Sequence, residues 1–239
     1  MKKYIDNIKI SLAVLGLVFL FSFSNKRNNN RILAENCAVE FLNDDAHFIT
    51  RSTVNKLLIQ NRDSTSRVTK DQLVLSKVEE SLNAHSMVQH ADVYVSINGE
   101  VGAKVRQRTP IARVIGEQEY YIDSYGEKMP LSPVYSARVP LITGNNVDKA
   151  WSSLYELTKF IYKDEFLKKT ITGIHVEDQH FELELREEDF TLFISRVNKL
   201  DLKFSNFKAF YQKGRNDKTL GNYKMVNLSF DNQVVCTKK

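Results

Sequence analysis

"YYIDSYGEKMPLSPVYSARVPLITG", Tyr120 to Gly144, holds three of the four prolines in a chain of 239 residues, Pro130, Pro133 and Pro140. The fourth, Pro110, lies just upstream. Proline has no N–H to give to a ladder, so in β structure it gathers at strand ends and sheet edges. Ile111 to Ile115 reads as one strand and Glu119 to Asp123 as another. "DSYG" sets Asp at the first and Gly at the fourth position of a type I turn, and "EKMPL" returns from it. The prolines therefore mark the way into a domain of short β-strands. A poly-proline ligand would need repeated PxxP units in one extended run, which the stretch lacks.

Downstream, "NNVDKAWSSLYELTKFIYKDEFL" carries Val147, Trp151, Leu154, Leu157 and Ile161 at helical spacing and is expected to be one helix with Trp151 in the core. A strand meander follows: Ile171 to Val176, Phe181 to Leu185 and Phe190 to Ile194, separated by polar turns. Helical spacing resumes through Val197, Leu200, Phe204, Phe207 and Tyr211. Asn222 to Cys236 is expected to close the chain as a single strand.

Upstream lies a smaller α/β module. "CAVEFL" suits a short strand. "TRSTVNKLLIQN" spaces Val54, Leu57 and Leu58 for a helix, with Thr50 or Ser52 as the cap. "DQLVLSKVEESL" begins with Asp71 as its cap and aligns Val74, Leu75, Val78 and Leu82 on one stripe. Then Val93, Val95 and Ile97 alternate towards Asn98-Gly99, and Val101, Ala103 and Val105 alternate away from it. Asn-Gly suits a type I′ turn, where both central residues need φ > 0. Lys104, Arg106 and Arg108 fall on the opposite, wet face. This strand–helix–helix–strand–strand order resembles a POTRA domain, a module that docks protein segments.

At the N-terminus, "ISLAVLGLVFLFSF" spans Ile10 to Phe23 between Lys9 and Lys26. As a helix it would run about 21 Å at 1.5 Å per residue, against about 30 Å of hydrocarbon. Snorkelling by the flanking lysines extends that reach. Residues 10–24 read as a single-pass anchor, with a cleaved signal peptide as the other reading. Residues 1–9 would be a cytoplasmic tail and 25–36 a linker.

The net charge of +5 is spread along the chain rather than gathered in a stripe, which argues against nucleic-acid binding. No motif for metal, phosphate or nucleophilic catalysis is present. His85/His90 and His175/His180 are each five apart, off the i, i+4 metal spacing of a helix. Neither cofactor, metal, small-molecule substrate nor catalytic residue is expected. Cys37 and Cys236 read as two small buried hydrophobes or as a disulfide.

In order, a short tail, one apolar span, a POTRA-like module, "QRTPIA", "YYIDSYGEKMPL" and "VPLITG" resemble the FtsQ/DivIB family of bacterial cell-division proteins. Arg108, Pro110, Ala112, Asp123, Gly126, Pro140 and Gly144 carry the match. The resemblance implies an α+β architecture: transmembrane helix, POTRA-like βααββ domain at 37–108, and a mixed β domain with flanking helices at 109–239. It implies a non-enzymatic scaffold of the division septum in the cytoplasmic (inner) membrane, with its C-terminal domains in the periplasm. Its partners would be FtsB-like and FtsL-like single-pass proteins, taken up by strand addition along Tyr223–Cys236 and coupled to septal peptidoglycan synthesis.

The family's terminal motif falls on Val226, Leu228, Phe230 and Asp231, with Phe where relatives often have Tyr. Arg196 stands where the family has a basic residue facing acidic partner side chains. Tyr223 and Asn232 complete the implied partner-binding set. The competing function is a POTRA-bearing chaperone or envelope-assembly component, which tandem POTRA repeats or a following barrel would favour. The sequence has neither.

Overall fold

The computed structural model describes residues 12, 14–20, 22, 38–43, 48–59, 75–96, 100–178, 180–231 and 233–239. The expected tail, linker, Asp71 cap and Asn98-Gly99 turn lie outside the described residues, as do Cys37 and Asn232. Leu12, Val14 to Leu20 and Ser22 are helical, and the apolar side chains among them are exposed. Among the described residues, no helix is long and apolar enough to cross a membrane.

The chain folds as two compact units that part between Gln107 and Arg108, with Phe48 also assigned to the second. The first has β1 (Ala38–Phe41), α1 (Arg51–Ile59), α2 (Leu75–Asn83), β2 (Val88–Val95) and β3 (Val101–Gln107). Thr50 caps α1, accepting from the Thr53 N–H at 3.1 Å. Val54 and Leu58 of α1 and Val78 and Leu82 of α2 are buried. They pack with the apolar row that the hairpin register brings together: Ala91 opposite Val105, Val93 opposite Ala103, Val95 opposite Val101. β1 adds on the far side of β3 in parallel, giving the order β1-β3-β2.

Gln107 closes this unit. It is fully buried, and its side chain accepts from the Ile49 N–H while its backbone exchanges two bonds with the Asn43 amide. Lys104 and Arg106 are exposed, as alternation predicts. Arg108 is not on that wet face. Its Nε lies 2.8 Å from the Asp123 carboxylate, which is 1 % exposed in the second unit. Alternation fails there because the chain has already left the hairpin.

The second unit is a nine-stranded sheet with the order β12-β11-β10-β9-β8-β7-β4-β5-β6. Its strands are β4 (Pro110–Val114), β5 (Tyr120–Asp123), β6 (Lys128–Pro130), β7 (Leu141–Gly144), β8 (Ile171–Glu177), β9 (His180–Leu185), β10 (Thr191–Ile194), β11 (Tyr223–Asn227) and β12 (Val235–Lys238). The prolines sit where strands begin or end: Pro110 opens β4, Pro130 closes edge strand β6, and Pro140 precedes β7. Asp123 organises the β5–β6 turn. One carboxylate oxygen accepts from the Tyr125 and Glu127 N–H groups, and the other faces Arg108.

One face of the sheet is sealed by helices α3 (Trp151–Lys163) and α5 (Leu200–Asn216). Leu154, Leu157 and Ile161 from α3 and Phe204 and Phe207 from α5 share a buried core with Ile142, Ile174, Leu183, Leu192 and Val226 of the sheet. The expected single helix through Leu167 is broken: Asp164 is extended and caps a separate α4 (Glu165–Thr170), accepting from the Phe166 and Leu167 N–H groups. A carboxylate that can satisfy two orphan helix donors favours a new start over continuation. Trp151 packs against this core at its rim rather than inside it. It is partly exposed, tilted against Tyr120 with the Lys128 ammonium 5.3 Å from its ring. Helix α5 starts at Leu200, later than expected, because Lys199 is left-handed at φ 48°.

Candidate partner-binding edge

The last stretch is two strands rather than one. β11 runs Tyr223–Asn227, turns through Leu228 to Val234, and β12 returns antiparallel to it. This corrects the expected docking strand. β11 is paired on both sides, in parallel with β10 and antiparallel with β12. Val226 and Leu228 are 0 % and 1 % exposed, and the Leu228 N–H donates to the Phe193 carbonyl at 2.9 Å. Both side chains build the core and neither is available to a partner. Tyr223 is half-buried against Phe210.

The open margin belongs to β12. Among the described residues it pairs only with β11, so the outward half of its N–H and C=O groups has no strand beside it. Val235, Thr237 and Lys238 are exposed, and Cys236, a free thiol, is half-buried at the rim of the core. Burial pushes that thiol above its ordinary range.

The turn that leads into this strand lines a cleft of about 780 Å³ together with Phe193, Arg196 and Asn198, contributing Phe230 and Asp231. Two turns form its walls. Ser195 to Lys199 joins β10 to α5, and Leu228 to Val234 joins β11 to β12. Three contacts tie them together: the Ser195 N–H donates to the Ser229 hydroxyl at 3.0 Å, Lys199 Nζ lies 2.5 Å from Asp231, and the Asn206 amide donates to the Asp231 carbonyl. The Lys199 hydrogen bond holds the Asp231 carboxyl below its ordinary range.

Arg196, Phe230 and Asp231, expected from the sequence to act together, do line one cleft. Phe230 is 46 % exposed. Sequence reading passed over Lys203. This lysine is 1 % exposed in the first turn of α5. Its ammonium donates to the Arg196 carbonyl at 2.8 Å and to the Asn198 side chain at 2.7 Å, fixing the turn that presents Arg196. Burial, with Lys199 and Arg196 nearby, lowers its pKa against the pull of Asp231. A lysine between Leu202 and Phe204 looks like any wet helix position, and no sequence signal marks it.

A nine-stranded sheet ending in a short open strand, preceded by a βααββ module, now has its counterpart among known families. Residues 109–237 match the FtsQ/DivIB C-terminal related domain, and residues 42–106 match the POTRA-like domain. The chain belongs to the FtsQ/DivIB family. The two matches fall on the two compact units. No curated protein matches the chain. FtsQ/DivIB proteins are non-enzymatic cell-division proteins, and membership implies a scaffold role that works through contacts with other division proteins.

Proposed function

We propose that this FtsQ/DivIB protein captures FtsB-like and FtsL-like single-pass partners by strand addition to β12, and through them supports septal peptidoglycan synthesis. One observation carries the reading: the turn leading into the open strand β12 lines a cleft that already holds an exposed aromatic and an exposed arginine. An incoming extended segment would gain main-chain hydrogen bonds from β12, while Phe230 and Arg196 select its side chains. Residues 10–24 would anchor the chain in the inner membrane, N-terminus in the cytoplasm, with both units in the periplasm. The exposed apolar side chains of Leu12 and Val14 to Leu20 favour this, since water opposes such a surface. Tethering raises the partners' effective concentration.

The test uses the periplasmic segment of the FtsB-like partner, synthesised with and without N-methylation at alternate backbone positions. N-methylation of the edge-facing positions is expected to abolish binding, and Phe230→Lys to weaken it about tenfold, which is about 1.4 kcal/mol. Undiminished binding of both N-methylated registers would reject strand addition. A fluorescent fusion should form mid-cell bands; a uniform envelope signal would reject the septal assignment.

A further inference from the structure

At the other end of the sheet is a second concave surface, and we infer that it binds an acidic segment of a partner protein. β9 runs antiparallel to β10, so Arg186, which follows β9, lies at the opposite end from Arg196, which follows β10. There a cleft of about 630 Å³ is lined by Arg138, Lys168, Lys169, Arg186 and Arg215, against two carboxylates, Glu165 and Glu187. Five cations less two anions leave three positive charges in one cleft, against +5 for the whole chain. Residues 32–239 carry 28 basic and 28 acidic side chains, so the cleft is a local excess of cations.

These cations come from four separate places: the loop before β7, helix α4, the β9–β10 turn, and the end of α5. Lys168, Lys169 and Arg215 stand in last helical turns, where the helix dipole favours them. Arg138 serves no helix end, so the dipole does not account for it, while Arg186 satisfies a carbonyl at the C-terminal end of α4. Arg186 is already aimed, because its Nε donates to the Lys169 carbonyl at 2.9 Å. Among the described residues, no carboxylate pairs with Arg138, Arg186 or Arg215. The Lys169–Glu165 pair, at 3.6 Å and mostly exposed on both sides, is easily exchanged.

The floor is aromatic. Phe166 and Tyr211 meet edge to face at 5.5 Å, and the Tyr211 hydroxyl is turned away to Glu188. Guanidinium groups around an aromatic floor match a chain that alternates carboxylates with an apolar side chain, since carboxylates accept the arginine fork bidentately. The concavity selects a chain over a bilayer, whose flat surface would meet only the rim. This site is independent of the β12 edge.

The probe is a short fluorescein-labelled peptide with glutamates around one leucine and one phenylalanine, titrated by anisotropy against the full chain in neutral detergent. The isosteric glutamine peptide should bind at least about tenfold more weakly. Arg186→Glu and Arg138→Glu should each weaken the acidic peptide by about tenfold, since like charges facing each other across an interface are strongly disfavoured. Binding should fall as salt rises from about 0.05 to about 0.3 M. Arg138 makes no contact the fold depends on, so its variant reads the site even if Arg186→Glu unfolds. Phe230→Lys should leave the peptide's affinity unchanged, which separates this inference from the edge reading. Equal binding of the glutamine peptide, or indifference to Arg138→Glu, would overturn the proposal. So would capture of phosphatidylglycerol vesicles through these arginines in place of the peptide.

Discussion

Replacing Lys203 by Met removes one ammonium and keeps most of the buried stem. The ammonium makes two charge-assisted bonds, 2.8 Å to the Arg196 carbonyl and 2.7 Å to Asn198. Such bonds contribute about 1.5–3 kcal/mol each. Against them stands the cost of keeping a charge at 1 % exposure, which is what lowers this lysine's pKa. Arg196 and Asn198 are exposed, so both freed acceptors can turn to water. The net loss should be about 1–2 kcal/mol, lowering the melting temperature by about 4–8 °C for a unit of this size. The larger consequence is for binding. The turn bearing Arg196 loses its clamp and must be ordered on capture of a partner, at about 1.4 kcal/mol, or tenfold in Kd.

Thermal unfolding followed by circular dichroism gives the first number, and titration with the FtsB-like segment gives the second. In an Arg196→Ala background the Lys203→Met effect on affinity should vanish, because there is no guanidinium left to position. A fall in stability with affinity intact, or additive effects in that cycle, would refute the positioning argument. The pH dependence has a defined sign. A lysine whose folded pKa is lowered leaves more protons on the unfolded chain, so its contribution to stability rises with pH between the lowered value and its ordinary 10.5. Wild type should gain on Lys203→Met across that window.

Two further substitutions probe the frame behind the site. Burial alone would raise the Asp164 carboxyl, but the Lys208 ammonium and the Leu167 and Phe166 N–H groups outweigh it and hold it below 3.8. Its contribution is present above the unfolded value and is lost as pH falls through the folded one. Asp164→Ala should cost about 1–2 kcal/mol in urea unfolding at neutral pH and much less in acid. Gly144→Ala should prevent folding of the second unit, because at φ +125° a Cβ would stand 2.0 Å from the Val176 carbonyl oxygen. Gly126→Ala, at φ +83° with its Cβ 3.2 Å from the Tyr155 ring, should fold with reduced stability, and comparing yields of soluble protein tests the ranking.

The β2–β3 hairpin was legible because its determinants are local. Val93, Val95, Val101 and Ala103 alternate, and alternation alone fixes which face is buried. The same reasoning misread the C-terminus. Val226, Leu228 and Phe230 alternate across what is really the end of a strand and a turn, so pattern alone ran β11 into β12. Nor does any local signal say that β4 lies between β5 and β7, or that β1 pairs in parallel with β3, since those contacts are chosen by the whole core. Lys203 was hidden for a related reason. Its burial comes from a turn seven residues earlier folding over it, and helical periodicity is blind to that.

The error at the C-terminus is informative about the site itself. Had β11 been the edge, its inward side chains would have served the core and its backbone the partner. A single substitution there would then strike folding and binding together. With β12 outside it, the two tasks separate. Val226 and Leu228 hold the sheet from within, while Val235, Thr237 and Lys238 are exposed on a strand of four residues. A strand that short limits nonspecific edge-to-edge association, so selectivity has to come from beside the ladder. Arg196 and Phe230 are exposed there, on turns fixed by Lys203, Ser229 and Lys199. A partner segment is thereby selected by side chains that the core does not need.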